Sequence, residues 1–285
     1  MVLQQTSKRL IAFAYYGGKN RHLNDILPLL PAADHYCECF AGSAAVLLNR
    51  APSPIETLND LNGDIVNFFR VLRDEPERLI SGLSLTPYAR EEFYQAWEPC
   101  DDPVEQARRF FIRATMDYAK AGAKKDRSFS TNATYDKSQF CYAPWNFLSK
   151  VEGLPELVKR LQNVQIENRP AIEIIQKYGR RGTLIYADPP YLPETRTSSN
   201  DYLHEMTIGQ HYELSRVLNE TSAMVALSGY DSPVMDDLYP PTHWHKTGFK
   251  KRRVPMSRTG TLKRQEVLWT NYDPTKIIQG QTKLF

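Results

Sequence analysis

Short apolar runs alternate with stretches of helical period along most of this chain, and that alternation restricts the folds open to it. His35 to Phe40 is an apolar-rich run of strand length, and Gly42 to Arg50 (GSAAVLLNR) follows with small residues and then an aliphatic stripe. Ile55 to Asp60 is a second strand pattern. Asn62 to Leu79 then carries Ile65, Val66, Phe68, Phe69, Leu72 and Leu79 close to helical spacing. Strand–helix–strand–helix order predicts a parallel, doubly wound α/β sheet. The order resumes with strands at Val164 to Glu167, Thr183 to Ala187, Ala223 to Ser228 and Glu266 to Asn271, and helices at Ala171 to Tyr178 and Thr207 to Asn219.

The middle breaks the pattern. Pro87 to Lys125 reads as helical, and Asp126 to Pro144, rich in Ser, Thr, Asn and Tyr, reads as exposed loop. The expected organisation is a catalytic unit from 1–80 and 160–272, an inserted helical subdomain at 81–159, and a flexible tail at 273–285. No run approaches the roughly 18 apolar residues of a membrane-spanning helix. The N-terminal sequence lacks a secretory apolar core, and the four cysteines form no CxxC pair. A cytoplasmic protein without a metal site is expected; His243 and His245 have no third ligand nearby in the sequence.

Net charge is only +3, but its distribution is uneven. Leu238 to Gln265 contains no acid, and it holds Lys246, Lys250, Lys251, Arg252, Arg253, Arg258, Lys263 and Arg264. A second basic stretch runs Arg108, Arg109, Arg113, Lys120, Lys124, Lys125 and Arg127. Two one-sided basic stretches form an electrostatic footprint for phosphates, or simply solvated faces.

The most specific chemical feature is Asp188-Pro189-Pro190-Tyr191, directly after the buried pattern TLIYA. Ligands of open α/β sheets sit beyond the carboxyl ends of strands. Two prolines stiffen the turn there. The Asp188 carboxylate and the Pro189 carbonyl can each accept an N–H of an exocyclic amine, and Tyr191 can stack on the ring that bears it. A second loop, Phe40-Ala41-Gly42-Ser43-Ala44-Ala45, lets a ligand approach the backbone between strand and helix. It matches neither a dinucleotide nor a triphosphate signature. Asp60 ends the next strand, placed to grip ribose hydroxyls. Tyr15-Tyr16-Gly17-Gly18-Lys19 is a glycine turn with a lysine.

In this order the pieces resemble the Dam-type (D12 class) DNA adenine-N6 methyltransferases. The matching motifs are Gly17-Gly18-Lys19, Glu38-Cys39-Phe40-Ala41-Gly42, Asn59-Asp60-Leu61-Asn62 and Asp188-Pro189-Pro190-Tyr191. The resemblance implies a Rossmann-like methyltransferase sheet whose inserted helical subdomain recognises the target. It implies S-adenosylmethionine as cofactor, held by Tyr15, Gly17, Lys19, Glu38, Phe40, Gly42, Asp60 and Asp188. Its methionine part would meet Lys19 and the Phe40 to Gly42 loop, and its ribose Asp60. The target adenine would be flipped out of duplex DNA, stacked on Tyr191, and methylated by direct displacement. Lys124, Lys125, Arg127, Lys250, Lys251, Arg252 and Arg253 would contact DNA. Two departures from the family pattern are Ala44, where many members have a second glycine and where the methyl would narrow the approach to the cofactor, and Asn168-Arg169-Pro170, where an acid often faces the cofactor adenine.

The alternatives are an RNA or protein methyltransferase and a catalytically silent DNA-binding relic. Asp rather than Asn at position 188 and the glycine–lysine element favour DNA; intact Asp188 and Tyr191 oppose the relic. A cytosine-C5 enzyme would need a nucleophilic cysteine, and Pro99-Cys100 lies among acids that disfavour a thiolate. The final Gln281-Thr282-Lys283-Leu284-Phe285 resembles the motif by which bacterial proteins dock on the DNA sliding clamp, with Gln281 at the rim and Leu284 and Phe285 in an apolar pocket. Such a chain would be associated with the nucleoid, as a restriction-linked or an orphan methylase.

Overall fold

The computed structural model describes residues 9–117, 128–131, 142–192, 205–249 and 265–277. A sheet of seven strands runs through it in the order β3-β2-β1-β4-β5-β7-β6. The strands are β1 (His35–Glu38), β2 (Ile55–Asn59), β3 (Val164–Glu167), β4 (Thr183–Ala187), β5 (Met224–Tyr230), β6 (His245–Gly248) and β7 (Glu266–Thr270). The first five are parallel to one another, while β7 runs antiparallel to both β5 and β6. The strand order reverses between β1 and β4, so a crevice opens beyond the carboxyl ends of those two strands.

Strand periodicity sorts the core into two layers. Tyr36 pairs with Leu184, and Glu38 with Tyr186, across β1 and β4. Residues two apart on a strand share a face, so Tyr36, Glu38, Leu184 and Tyr186 lie on one side, and Cys37, Ile185 and Ala187 on the other. The first face packs against α2 (Ala45–Asn49), α3 (Gly63–Asp74), α6 (Pro103–Met116) and α7 (Tyr142–Leu161), which contribute Leu47, Phe68, Phe69, Phe111 and Leu154 to one apolar cluster. The second face is covered by α8 (Ala171–Tyr178), α9 (Ile208–Glu220) and α10 (Pro233–Leu238), with Ile174, Leu214 and Met235 in its cluster. The remaining helices are α1 (Leu23–Ile26), α4 (Pro76–Ser84) and α5 (Arg90–Gln95). No helix among the described residues is long and apolar enough to cross a membrane.

Several elements depart from the sequence reading. The single helical stretch expected from Asn62 to Leu79 is two helices, because Glu75 takes φ −130° ahead of Pro76. A residue before proline is steered out of the helical region, and proline is well tolerated at a first helical turn. The described part of the expected helical stretch, Pro87 to Asp117, likewise divides into α5 and α6, separated by Pro99 and by Asp102, whose carboxylate caps α6 by accepting from the Val104 N–H. Helix α7 falls largely within the segment expected to be helical but starts at Tyr142, inside the stretch read as loop, and Phe147, Val151, Leu154 and Leu161 are buried along it. Pro155 sits inside that helix and removes one ladder donor. The helices of the middle segment share the apolar cluster of the sheet rather than forming a core of their own.

Ala44 has φ 53° and ψ 32°, the one non-glycine positive φ among the described residues. The methyl group is fully buried and absent from the walls of the main cleft, so it does not narrow the approach to a ligand. The left-handed conformation costs a residue with a Cβ about 1–2 kcal/mol. Glycine would relieve that strain but lose roughly 0.8 kcal/mol of methyl burial and add unfolded-state entropy. Ala44→Gly is therefore expected to change stability by less than about 1 kcal/mol, whereas Ala44→Val, strained and overpacked, should lose more than about 2 kcal/mol. Urea denaturation of both variants checks this, and a neutral valine would contradict the backbone assignment.

Candidate active site

Three strand ends and the N-terminal turn build the crevice. Tyr15 to Gly18 is a tight turn closed by Gly18 N–H donating to Tyr15 O at 3.0 Å, with Gly17 at φ 73°. Gly17 occupies the position of such a turn that demands positive φ. The turn delivers Lys19, only 3% exposed, to the ends of β4 and β7. Its ammonium donates to Gly17 O at 2.8 Å and lies 2.7 Å from Asp188 Oδ2 and 3.3 Å from Glu266 Oε1. It also sits 4.9 Å above the Tyr191 ring.

Burial, set partly against the pull of Lys19, pushes the Asp188 carboxyl up to about 6. Burial would raise Glu266 too, but Lys19, His22 and Tyr191 outweigh it and hold that carboxyl down at about 2. Burial opposes the Lys19 ammonium, yet the two acids keep it above the ordinary lysine range. Asp188 Oδ1 is buried and accepts no hydrogen bond from any described residue. A buried acceptor without a donor is costly, so Oδ1 is suited to receive one from a ligand.

The remaining acids line the same crevice. Glu38 at the end of β1 accepts from Tyr36 Oη at 2.9 Å and Leu47 N at 2.8 Å, and burial raises its carboxyl to about 8. Asp60, just past β2, accepts from Gly42 N through Oδ2 and from Asn62 N through Oδ1, both at 2.8 Å. Its eighteen-residue spacing from Gly42 thus has a direct meaning: the acid pins the glycine loop. Gly42, at φ +48°, lies so near Tyr15 that a Cβ there would stand 3.1 Å from its ring. Together with Phe40, Leu61 and Val46 these groups bound an open cleft at the ends of the strands.

The four-residue turn after β4 separates two cavities. Asp188 and Pro190 face the large cleft; Pro189 and Tyr191 line a much smaller pocket with Ser228, Gly229 and Tyr230. Tyr191 is 5% exposed, meets Tyr230 edge to face at 4.7 Å, and donates through its phenol to Glu266 Oε1 at 2.6 Å.

The crevice brings together Tyr15, Gly17, Lys19, Glu38, Phe40, Gly42, Asp60 and Asp188, while Tyr191 stands on the far side of the turn. Lys19 lines this cleft, and its ammonium is directed to Gly17, Asp188 and Glu266. Sequence reasoning missed Glu266, and missed Glu205, Met206 and Gln210 on the cleft wall. A lone acid after a basic stretch gave no signal. Asn168 donates to Asp60 O at 2.7 Å and Leu61 O at 3.2 Å and does not line the cleft.

The described arginines and lysine of the two basic stretches form ion pairs within the protein. Arg108 pairs with Glu92 and Glu105, Arg109 with Glu105, Arg113 with Asp64, and Lys246 with Asp231 and Asp236. Lys124, Lys125, Arg127, Lys250, Lys251, Arg252 and Arg253 lie outside the described residues, as do Gln281, Leu284 and Phe285.

A family model for the D12 class N6 adenine-specific DNA methyltransferase matches residues 15–251. The chain is 27% identical to Type II methyltransferase M1.LlaDCHI of Lactococcus lactis subsp. cremoris, over 95% of this chain and 99% of that one. It is 27% identical to Type II methyltransferase M.MjaIII of Methanocaldococcus jannaschii, over 64% and 69% of the two chains. It is 24% identical to the DNA adenine methylase of Escherichia coli strain K12, over 90% and 93%.

Removing the central cation should be destabilising in a pH-dependent way. In Lys19→Met, Asp188 and Glu266 stay half-buried with no ammonium between them, a loss of about 2–4 kcal/mol, toward the lower side of what a broken buried pair costs. Without Lys19 both carboxyls titrate higher in the folded than in the unfolded chain. The defect should then be milder at pH 5, where protonation relieves it, and fuller at pH 8. Urea denaturation at the two pH values measures this; a defect that is larger at pH 5 would refute the charge account.

Proposed function

The chain belongs to the D12 class of N6 adenine-specific DNA methyltransferases, and from that premise we propose which of its residues perform the reaction and which cofactor they use. The cofactor is S-adenosylmethionine. The cleft suits it on its own chemistry: acids at three sides for a cation and for ribose hydroxyls, and apolar Phe40, Val46 and Leu61 for a flat ring. Bound there, it supplies an electrophilic methyl group on a sulfonium. Glu38 faces the cationic methionine end, and Asp60 accepts from the ribose while holding Gly42 in place.

The observation that carries the reading of the second substrate is the unpartnered Asp188 Oδ1. It accepts one N–H of the adenine amine, and the Pro189 carbonyl accepts the other. Both bonds draw the nitrogen lone pair out of conjugation with the ring. Tyr191 is the aromatic plate for the flipped base. Because Tyr191 is nearly buried, a base stacked on it must displace what covers it, and stacking worth roughly 1–3 kcal/mol offsets that cost. Lys19 keeps Asp188 in place and favours its ionised form. The segment 81–159 reads the target, and the basic positions from Lys124 to Arg127 and Lys250 to Arg253 hold the phosphates, which positions the duplex without reading it. Docking of the Gln281 to Phe285 tail on a sliding clamp rests on the sequence motif alone. A clamp-binding comparison of the intact chain with one ending at Gly280 tests it.

The test is transfer of labelled methyl from S-adenosylmethionine to unmethylated genomic duplex DNA, with product adenines identified by nucleoside analysis. Asp188→Ala should abolish transfer while leaving the fold intact. Tyr191→Ala should be the most damaging change at that position. Tyr191→Phe should lose less, but it is not silent, since its phenol bonds Glu266. Label in cytosine or only in RNA or protein would overturn the assignment.

The pH dependence follows from the free-enzyme carboxyls. Asp188 must be ionised to accept, and its carboxyl lies near 6, so kcat/KM should fall as pH drops below about 6. Glu38 lies near 8, so at pH 7 a positive ligand should expel its proton. Calorimetry of cofactor binding in buffers of differing ionisation enthalpy should show proton release at pH 7; proton uptake would remove Glu38 from the cationic end.

A further inference from the structure

Resting on that reading, we infer that Glu266 is a positioning residue for methyl transfer, holding Tyr191 and Lys19 through one carboxylate and so fixing both the aromatic plate and the amine acceptor. Glu266 opens β7, far along the chain from the turn it serves. Its Oε1 accepts from the Tyr191 phenol at 2.6 Å and lies 3.3 Å from Lys19 Nζ. Its Oε2 accepts from His22 Nε2 at 2.7 Å. His22 in turn lies 3.6 Å from Asp25 and stacks on Phe249 at 5.1 Å, so the carboxylate is braced from behind. The pairing of Glu266 with Tyr230 across β5 and β7 places the acid beside the ring that packs on Tyr191.

This arrangement does more than stabilise the chain. The Tyr191 ring is held by Tyr230 at its edge, by the Lys19 ammonium over its face and by Glu266 at its phenol. The charged and titratable groups facing Asp188 are Lys19 from the N-terminal turn, Glu38 from β1, Tyr186 from β4, Tyr191 from its own turn, and Glu266 from β7. Lys19 stands between Asp188 and Glu266. With Glu266 neutral, Lys19 would have one acid to bond instead of two. Its ammonium would shift toward Asp188, and Oδ1 and the phenol would lose their fixed relation. Glu266 is not in the wall of the large cleft, so its loss should not weaken cofactor binding directly.

The experiment compares wild type, Glu266→Gln, Glu266→Asp, Tyr191→Phe and the Glu266→Gln/Tyr191→Phe double variant. Readouts are kcat and KM for labelled methyl transfer to genomic DNA, the cofactor dissociation constant and the melting temperature. Glu266→Gln is expected to lower kcat about 10- to 100-fold, the rate equivalent of one charge-assisted hydrogen bond. The cofactor dissociation constant should stay within about twofold, because Glu266 makes no cofactor contact. Glu266→Asp, which keeps the charge, should recover part of the loss. The double variant should be no worse than about the more damaging single one, since both changes break the same bond. The inference is overturned if kcat is unchanged while only melting temperature falls, if cofactor affinity falls as steeply as kcat, or if the two substitutions multiply independently. Should Glu266→Gln not fold, Tyr191→Phe decides, since it removes the bond from the other side: a folded enzyme with unaltered kcat refutes the role. Absence of adenine methylation by wild type would instead refute the assigned reaction, a separate result.

Discussion

One buried ammonium organises this site. Lys19 arrives on a glycine turn and meets two carboxylates that come from the end of β4 and the start of β7. A lysine this deeply buried is tolerated only where paired charges offset its desolvation. The converse holds as well, since Asp188 and Glu266 are half-buried like charges that would repel without it. The three elements therefore dock as a unit. A misplaced turn would leave an unpaired charge in the core, and this makes the register of the N-terminal segment against the sheet specific.

The sheet supplies the second constraint. The reversal of strand order puts the ends of β1, β2 and β4 around one crevice, and buried polar bonds lock those ends together. Asn59 donates to Cys39 O and Arg169 O and accepts from Arg169 N, joining the segments that leave β1, β2 and β3. Asp60 then reaches back to Gly42. Each bond satisfies a strand-end group that would otherwise be orphaned. The loops above the sheet are consequently held by the scaffold before any ligand arrives, which is the preorganisation that catalysis by positioning requires.

Much of this was legible in the residues. The alternation of patterns gave the parallel part of the sheet and its two helical layers, because fully buried parallel strands are apolar almost throughout. The acid–proline–proline–tyrosine turn and the Gly42 to Asp60 spacing marked the crevice. What failed did so for identifiable reasons. Arg108 and Arg109 both pair with Glu105 one turn earlier on α6, a local contact the charge run conceals, while Glu92 and Asp64 are brought to Arg108 and Arg113 by helix packing. The start of helix α7 was obscured by the polar stretch before it. Glu266 was invisible since its meaning lies in three residues from distant parts of the chain. Stacking asks nothing of the Tyr191 hydroxyl, and only its distance to Glu266 gives it a task.

The double proline at the heart of the site has a further consequence. Each proline fixes its own φ and restricts the residue before it, so Asp188 to Tyr191 forms a stiff partition with the large cleft on one side and the aromatic cavity on the other. Both substrates of a bimolecular transfer can then be held at a wall that does not yield when either binds. Flexibility there would let the acceptor oxygen follow the amine instead of constraining it, and the orientational share of catalysis, on the order of several kcal/mol in well-held reactions, would be lost. Asp188 belongs on such a wall for an electrostatic reason too. A carboxylate in a site that excludes water acts more strongly on its ligand than one in solvent, but burial also drives it toward the neutral acid. Lys19 counters that drift while contacting only the other carboxylate oxygen. The second oxygen, Oδ1, therefore keeps its open valence.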